Sequence, residues 1–201
     1  MELQQVAEII SGRTFKHGVK EFDDWTHAVV QIRDVFKNPH ASGIAWGQLS
    51  KSLFDRKVTS QELKKNDILV IAKGMQKTAI LLGDIPFPTI VNQHFFIIRV
   101  KDTNTVHPEF LQHFLNSEIS QQWLLDNSSG QHQNTMSKTV LSQLEVPTVP
   151  LEQQISMAEF AKFMSKEISD HQTAIAKLED HLNSMFLRIS DEDALQENSF
   201  N

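Results

Sequence analysis

Three groups of amide, imidazole and ammonium side chains lie where the sequence predicts loops. The first group, Lys73, Gln76 and Lys77, lies around Gly74, and the second, Gln93 and His94, separates two apolar runs. The third group, Gln131–Asn134, precedes Ser137, which can cap a helix. Asn, Gln and Lys side chains hydrogen-bond to base edges, and Lys and Arg bind phosphates, so these residue types favour nucleic-acid contacts. The candidate contacts are Lys51, Lys73, Gly74, Gln76, Lys77, Gln93, His94, Gly130, Gln131, His132, Gln133, Asn134 and Lys138.

These groups have a simpler interpretation as well, because polar side chains in loops are usually only solvated. The glycines in them, Gly74 and Gly130, would let the main chain approach a ligand closely. Tyr is absent and most of the 13 Phe residues fall in apolar periods, so stacking of single-stranded bases is disfavoured. If the ligand is a nucleic acid, a duplex is favoured.

The motifs of the commoner catalytic sites are missing from the sequence. Seven scattered glycines form no phosphate-binding run, and Ile71 stands where a nuclease metal site would place a carboxylate before Lys73. Asn38-Pro39-His40 lacks the second Pro and the aromatic residue of an amino-methylating site. Cys is absent and nine His are spread thinly, so no metal site is predicted. We expect no catalytic residue and no cofactor in this chain.

A β-rich body must position the polar groups. Asp67–Lys73 and Thr78–Leu82 are runs rich in strand-forming residues and are joined by four residues, which predicts a hairpin whose basic, polar tip faces outward. Thr89–Val100 predicts a strand that is broken near its middle. Shorter strands are predicted at Ala28–Val35 and Gly43–Leu49.

Short helices follow these strands within the body. The apolar period becomes about 3.6 from Pro108, with Ser117 as the N-cap of a second short helix. Ser137 can cap a turn over Lys138–Gln143, and Leu144–Pro150 is an extended connector. The predicted apolar face consists of Phe110, Leu111, Phe114, Leu115, Ile119, Trp123 and Leu124.

A heptad pattern without Gly or Pro occupies Glu152–Ile189, and nine of its ten seam positions are apolar. Its seam runs from Met157 to Ile189, about 33 residues, which predicts a helix of about 50 Å. The fold class is therefore α+β: a β-rich globular domain over residues 1–147, a long coiled-coil helix over 148–190 and an acidic, disordered tail over 191–201. The seam and its flanking positions are Met157, Phe160, Ala161, Met164, Ile168, His171, Ile175, Leu178, Leu182, Met185, Phe186 and Ile189.

The apolar stripe on this helix is wider than a two-stranded seam. Either a pair of helices packs against a further protein, which we favour, or the helix packs on its own body. His171 is the one polar seam position, and it is better explained as a register-setting or partner-selecting residue than as a metal ligand.

The formal net charge of −6 is unevenly distributed. Residues 1–150 carry fifteen basic and fifteen acidic side chains, whereas residues 151–201 carry four and ten. The span 37–101 has ten basic and four acidic residues, which fits either a polyanion-facing surface or ordinary solvation. No leader peptide, Cys or long apolar run is present, so we expect a cytoplasmic protein without membrane contact.

Several motifs, in order, resemble the DNA specificity subunits of type I restriction-modification systems. Ala7–Arg13 resembles the opening of a target recognition domain, and Leu63–Gly74 resembles its hairpin. Val91–His94, followed by Ile98-Arg99, is similar to the following strand, and Phe110–Ser117 is similar to a helix of that domain. Gly130–Gln133, followed by Leu141–Gln153, resembles the junction into the conserved helix of that family. The resemblance covers most of the chain.

The resemblance implies that residues 1–147 form a target recognition domain and residues 148–190 a spacer and dimerisation helix. Such subunits usually contain two of each, and this chain has one. It therefore resembles a half-subunit that pairs antiparallel with itself or with a second half, so that the pair recognises a bipartite site in duplex DNA. Implied partners are methyltransferase subunits and a restriction or motor subunit, which would carry the S-adenosylmethionine and ATP sites. From the residues alone, two alternatives stay open: a coiled-coil adaptor without DNA binding, and a self-contained nuclease or methylase.

Overall fold

The computed structural model describes residues 1–36, 43–54, 60–128 and 135–197, the last ten of these by main chain only. The chain forms two compact units, Met1–Ala161 and a second unit that begins at Lys162. The described strands are β1 (Ala7–Ser11), β2 (His27–Val30), β3 (Val35–Phe36), β4 (Gly43–Ile44), β5 (Ser50–Ser52), β6 (Ile68–Ile71), β7 (Ala79–Leu81), β8 (Thr89–Val91) and β9 (Phe95–Val100). The described α-helices are α1 (Leu3–Val6), α2 (Pro108–Asn116), α3 (Glu118–Asn127), α4 (Lys138–Ser142) and α5 (Leu151–Glu197).

The first unit has three layers. Its central sheet has the strand order β1-β9-β6-β7, and every neighbouring pair in it is antiparallel. One face packs under helices α2, α3 and α4, and the other face packs against strands β2 and β8 of a three-stranded sheet ordered β5-β2-β8. Both faces of the central sheet are therefore buried, which explains why β6 is the unbroken apolar run Ile-Leu-Val-Ile instead of an alternating one.

The strongest strand predictions are confirmed. Strands β6 and β7 form the expected antiparallel hairpin, with Val70 paired to Ala79 next to the tip. The run Thr89–Val100 is broken where expected, into β8 and β9, and the two parts lie in different sheets.

Two strand predictions were too long. Ala28–Val35 contains most of β2, a 3₁₀ turn at Ile32–Asp34 and the first residue of β3. The strand is interrupted because the Asp34 carboxylate accepts the Gln31 N–H at 2.8 Å. Such a local hydrogen bond competes with strand pairing. Gly43–Leu49 likewise contains only β4, followed by a 3₁₀ turn at Trp46–Gln48.

The short helices begin where their caps predicted. The Ser117 side chain accepts the Ser120 N–H at the start of α3, and Ser137 accepts the Val140 N–H at the start of α4. Ile119 was wrongly assigned to the buried face and is 79% exposed. The extended main chain at Ser117 separates the two helices, so the period of α2 does not carry over into α3.

Helix α5 has 47 residues, and no Gly or Pro interrupts it. Its beginning belongs to the first unit, where Gln154 and Ala158 are buried. Residues 191–197, which we expected to be disordered, continue the helix to Glu197. None of the helices in the described ranges combines the length and apolar character needed to cross a membrane.

Candidate nucleic-acid interface

Several chain segments meet at one end of the central sheet, where β1 and β6 end and β9 begins. The Ala72 N–H donates to the His94 carbonyl at 2.8 Å, and the Gly12 N–H donates to the Phe95 carbonyl at 3.0 Å. We call the group of residues at this end the strand-end surface. It consists of Gly12–Phe15, Lys73–Gln76, Gln93, His94 and Thr135.

The third predicted group is connected to this surface through its C-terminal flank. Lys73 and Thr135 form an antiparallel β-bridge, and the Met136 N–H donates to the Ala72 carbonyl at 2.8 Å. Lys138 follows in the first turn of α4 and is exposed. The other candidates of this group, Gly130, Gln131, His132, Gln133 and Asn134, lie outside the described residues.

The hairpin tip presents exposed side chains beside this bridge. Lys73, Met75 and Gln76 are exposed, and Met75 retains 66% of its accessible surface. Gly74 has a φ of +108°, a conformation that costs an L-residue backbone strain. The tip therefore combines a cation, an amide and an apolar side chain on a turn that requires glycine.

Lys77 does not share this exposure, contrary to the prediction of an outward-facing basic tip. Its side chain is fully buried, and its ammonium donates to the Gly74 carbonyl at 2.7 Å and the Ala72 carbonyl at 3.4 Å. Burial lowers the pKa of the Lys77 ammonium. Lys77 supports the tip from beneath and is not available to a ligand in this conformation.

Two side-chain amides replace a neighbouring strand along β7. Gln121 accepts the Lys77 N–H at 2.9 Å and donates to the Lys77 carbonyl at 3.3 Å. Asn116 accepts the Ala79 N–H at 2.8 Å and donates to the Ala79 carbonyl at 2.8 Å. Sequence reasoning missed both residues, because their partners are 44 and 37 positions away and no local pattern indicates the pairing.

The turn between β8 and β9 places the second predicted group on the same surface. Asn92 accepts the His94 N–H through its side chain at 3.1 Å, which closes the turn and leaves Gln93 exposed. A Cβ at Gly12 would lie 2.0 Å from the Asn92 carbonyl oxygen, so the close approach of β1 to this turn requires glycine. Gln93 also accepts the Phe15 N–H, at 3.4 Å.

Lys51 lies apart from the other candidates. It belongs to β5 in the three-stranded sheet, and its ammonium is 4.9 Å from the centre of the Trp25 ring. The cavity around it has a volume of about 600 Å³, and Glu21, Asp23 and Asp24 contribute to its lining. Three carboxylates beside Lys51 oppose the approach of a phosphate to this part of the surface.

No cluster of metal-ligating side chains exists within the described ranges. The described strand-end surface offers hydrogen-bond donors, hydrogen-bond acceptors and the cations Arg13 and Lys73. Comparison with known proteins provides a separate line of evidence. The profile of the type I restriction modification DNA specificity domain matches residues 1–180. The chain belongs to this family of DNA specificity domains.

Solved structures share the fold of this specificity domain. A chain from a type I R-M system, solved for its complex assembly and conformational transition, has a TM-score of 0.68 at 16% identity over 92% of this chain and 42% of that chain. The HsdS subunit from Thermoanaerobacter tengcongensis has a TM-score of 0.59 at 16% identity over 87% and 39%. The S subunit from M. genitalium has a TM-score of 0.52 at 12% identity over 85% and 39%. The specificity domain thus spans about two fifths of each solved chain. A search of curated proteins finds no match.

The helical part of the specificity domain carries the predicted apolar stripe on exposed positions. In the first unit Met157 and Phe160 are exposed, while Ala161 is half-buried. In the second unit the exposed fractions of the apolar stripe residues range from 37% at Ile168 to 70% at Leu178. The stripe there also contains exposed Met164, His171, Ile175, Leu182, Met185 and Phe186. The side chain of Ile189 lies outside the described residues.

Proposed function

We propose that this chain is the sequence-recognition component of a type I restriction-modification complex. Its strand-end surface recognises one half-site in duplex DNA, and α5 pairs antiparallel with a second copy to place two such surfaces on one DNA molecule. Family membership supports the assignment to DNA recognition. The observation that carries the residue-level proposal is the convergence of the hairpin tip, the Gln93 turn and the flank of residues 130–134 at one end of a rigid sheet.

The chemistry of the exposed side chains fits the grooves of a duplex. Gln76 and Gln93 each offer an amide that donates and accepts, which suits the edge of adenine in the major groove. Lys73 and Lys138 supply positive charge for phosphates. Since the body as a whole has no net charge, we expect modest affinity from this chain alone, with partner subunits adding phosphate contacts.

The exposed stripe on α5 supports pairing of helices. A contiguous row of Met, Ile, Leu and Phe side chains over several heptads is costly to leave in water and is typical of a partnered helix. A seam of about 50 Å corresponds to roughly 15 base pairs, which sets an upper limit on the separation of the half-sites. Methyltransferase subunits, with their S-adenosylmethionine, and an ATP-dependent restriction subunit would complete the complex.

Titration of labelled duplex and single-stranded DNA with the purified full chain, with and without methyltransferase subunits, tests the DNA assignment. We expect duplex to be preferred, and Lys73→Ala and Gln76→Ala each to weaken binding about 10-fold. Lys65→Ala is a matched control, because Lys65 precedes β6 at the opposite end of the sheet and pairs with Asp84 at 2.8 Å. Equal losses in all three variants would contradict recognition at the strand-end surface. No duplex binding in any form would support the adaptor alternative.

A further inference from the structure

Arg13 is a cation on the strand-end surface whose main chain is fixed from two sides. It follows Gly12 directly after β1, its N–H donates to the Val91 carbonyl at 2.9 Å, and it forms a parallel β-bridge with Asn92. Its Cα position is therefore set by β8 and by the turn that carries Gln93.

The guanidinium of Arg13 is oriented by an aromatic ring. Its Cζ atom lies 5.1 Å from the centre of the Phe54 ring. Phe54 is in turn held edge-to-face by Phe15 at 5.9 Å and by His27 at 5.7 Å, and its N–H donates to the Thr26 hydroxyl at 2.8 Å. A guanidinium over a ring face loses little hydrogen-bonding capacity, because its N–H groups point outward in its own plane.

The other arginines whose side chains are described have their donors engaged. Arg99 donates twice to the Asp67 carboxylate at 2.8 Å, and Arg33 donates to the Ser50 hydroxyl at 2.9 Å beside Asp34. Arg13 forms no ion pair within the part of the chain that the structure describes. A guanidinium that lies over a ring and has no carboxylate partner among the described residues suits an oxyanion, such as a phosphate, that accepts two parallel N–H bonds.

We propose that Arg13 binds a phosphate of the DNA backbone and so fixes the register of the duplex on the strand-end surface. This inference rests on the proposed DNA-recognition function. A phosphate is favoured over a base because the Arg13 main chain is bound into the sheet and its side chain lies on Phe54, whereas the exposed hairpin tip carries the side chains that can enter a groove. Backbone contacts of this kind set the register, and base contacts supply specificity.

The test uses the full chain with its methyltransferase subunits and compares the wild type with Arg13→Gln. We expect Arg13→Gln to raise the Kd about 10- to 100-fold and to reduce the slope of log K against log salt concentration by about 1. The preferred DNA sequence stays unchanged. Phe54→Leu keeps the cation but removes the ring, so we expect a smaller loss, of a few-fold, with the salt slope retained. Lys65→Gln removes the same charge at the opposite end of the sheet and is expected to change neither quantity.

Three outcomes would overturn the proposal, and they are distinguishable. If the wild type binds duplex and Arg13→Gln binds it equally well with the same salt slope, the role of Arg13 fails while the DNA function stands. If Arg13→Gln changes the preferred base at one position and leaves the salt slope intact, Arg13 contacts a base instead. If the wild type binds no duplex, the DNA function fails and the role of Arg13 fails with it. Circular dichroism of each variant establishes that the fold is retained.

Discussion

Lys73 and Thr135 face each other in an antiparallel β-bridge, although 62 positions separate them in the sequence. The bridge joins the hairpin tip to the segment that leads into α4. Together with the hydrogen bond from Ala72 to His94, it brings the hairpin tip, the Gln93 turn and Thr135 to one surface, although the sequence shows them as separate segments. We therefore expect the proposed DNA recognition to depend on how firmly the tip is held at this bridge.

The conformation of Gly74 is one condition for that rigidity. A Cβ would meet no atom within 4 Å at either Gly74 or Gly83, but only Gly74 has a positive φ. We expect Gly74→Ala to lower the free energy of unfolding by about 1–2 kcal/mol and to weaken DNA binding. Gly83→Ala is the matched control and should stay within about 0.5 kcal/mol of the wild type. Urea titrations measure both, and equal effects would show that the tip conformation is unimportant.

We also expect the rigidity of the hairpin tip to depend on the side-chain amide of Gln121. Replacing it with Ala leaves the N–H and carbonyl of Lys77 without their side-chain partner, next to a buried strand. We expect Gln121→Ala to cost about 1–3 kcal/mol and to speed hydrogen exchange at Lys77. Gln122→Ala is the control, since the neighbouring Gln122 is exposed and bonds to Asp126. Slow exchange at Lys77 in the Gln121 variant would contradict the strand-replacing role of the amide.

The buried ammonium of Lys77 leads us to expect that folding stability depends on pH. Burial lowers its pKa in the folded protein below the ordinary value of 10.5, so between the two pKa values the unfolded chain binds more protons and folding stability rises with pH. Below the folded-state pKa the ammonium is charged in both states, and its desolvation cost is present in full. We expect Lys77→Met to be more stable than the wild type by about 1 kcal/mol at pH 7. That difference should shrink as the pH rises towards 10.5.

The measurement is the free energy of unfolding of both proteins between pH 7 and 10.5, and the absence of Tyr from the chain removes tyrosine titration from this range. A difference that stays constant or widens with pH would contradict the lowered pKa. Lys77→Met also removes the donor to the Gly74 carbonyl, so DNA binding should weaken although stability increases. Unchanged DNA binding would mean that Lys77 does not position the tip.

The apolar stripe of α5 predicts an association that a single charge can disrupt. Ile175 lies in the stripe and is 55% exposed in the single chain. We expect Ile175→Asp to raise the dissociation constant of the dimer at least 100-fold, because pairing would bury the carboxylate in an apolar seam. Thr173→Asp, on the opposite face of the same turn, should leave it unchanged. Sedimentation equilibrium measures both, and an equal response would place the interface elsewhere on the chain.

Features that depend on neighbouring residues could be predicted from the sequence. The hairpin, the break near Asn92 and the caps Ser117 and Ser137 are all encoded within a few positions. The family resemblance could be recognised for the same reason, because its motifs are local and occur in order. The family match over residues 1–180 confirms it.

Features that depend on distant partners could not be predicted. The burial of Lys77 follows from the fold of the tip, and the pairing of Gln121 and Asn116 with the hairpin edge follows from helix packing. Arg13 was missed as a candidate because a single arginine forms no pattern, and its orientation depends on the ring of Phe54, which lies far away in the sequence, shortly after β5.

Selection from a random duplex pool tests the central claim most directly, using the full chain together with the proposed methyltransferase subunits. Two copies related by a two-fold axis predict enrichment of a split palindrome, with identical half-sites in inverted orientation at a fixed separation of at most about 15 base pairs. Failure to enrich any sequence, or enrichment of one uninterrupted asymmetric site, would contradict a paired recognition domain held by α5.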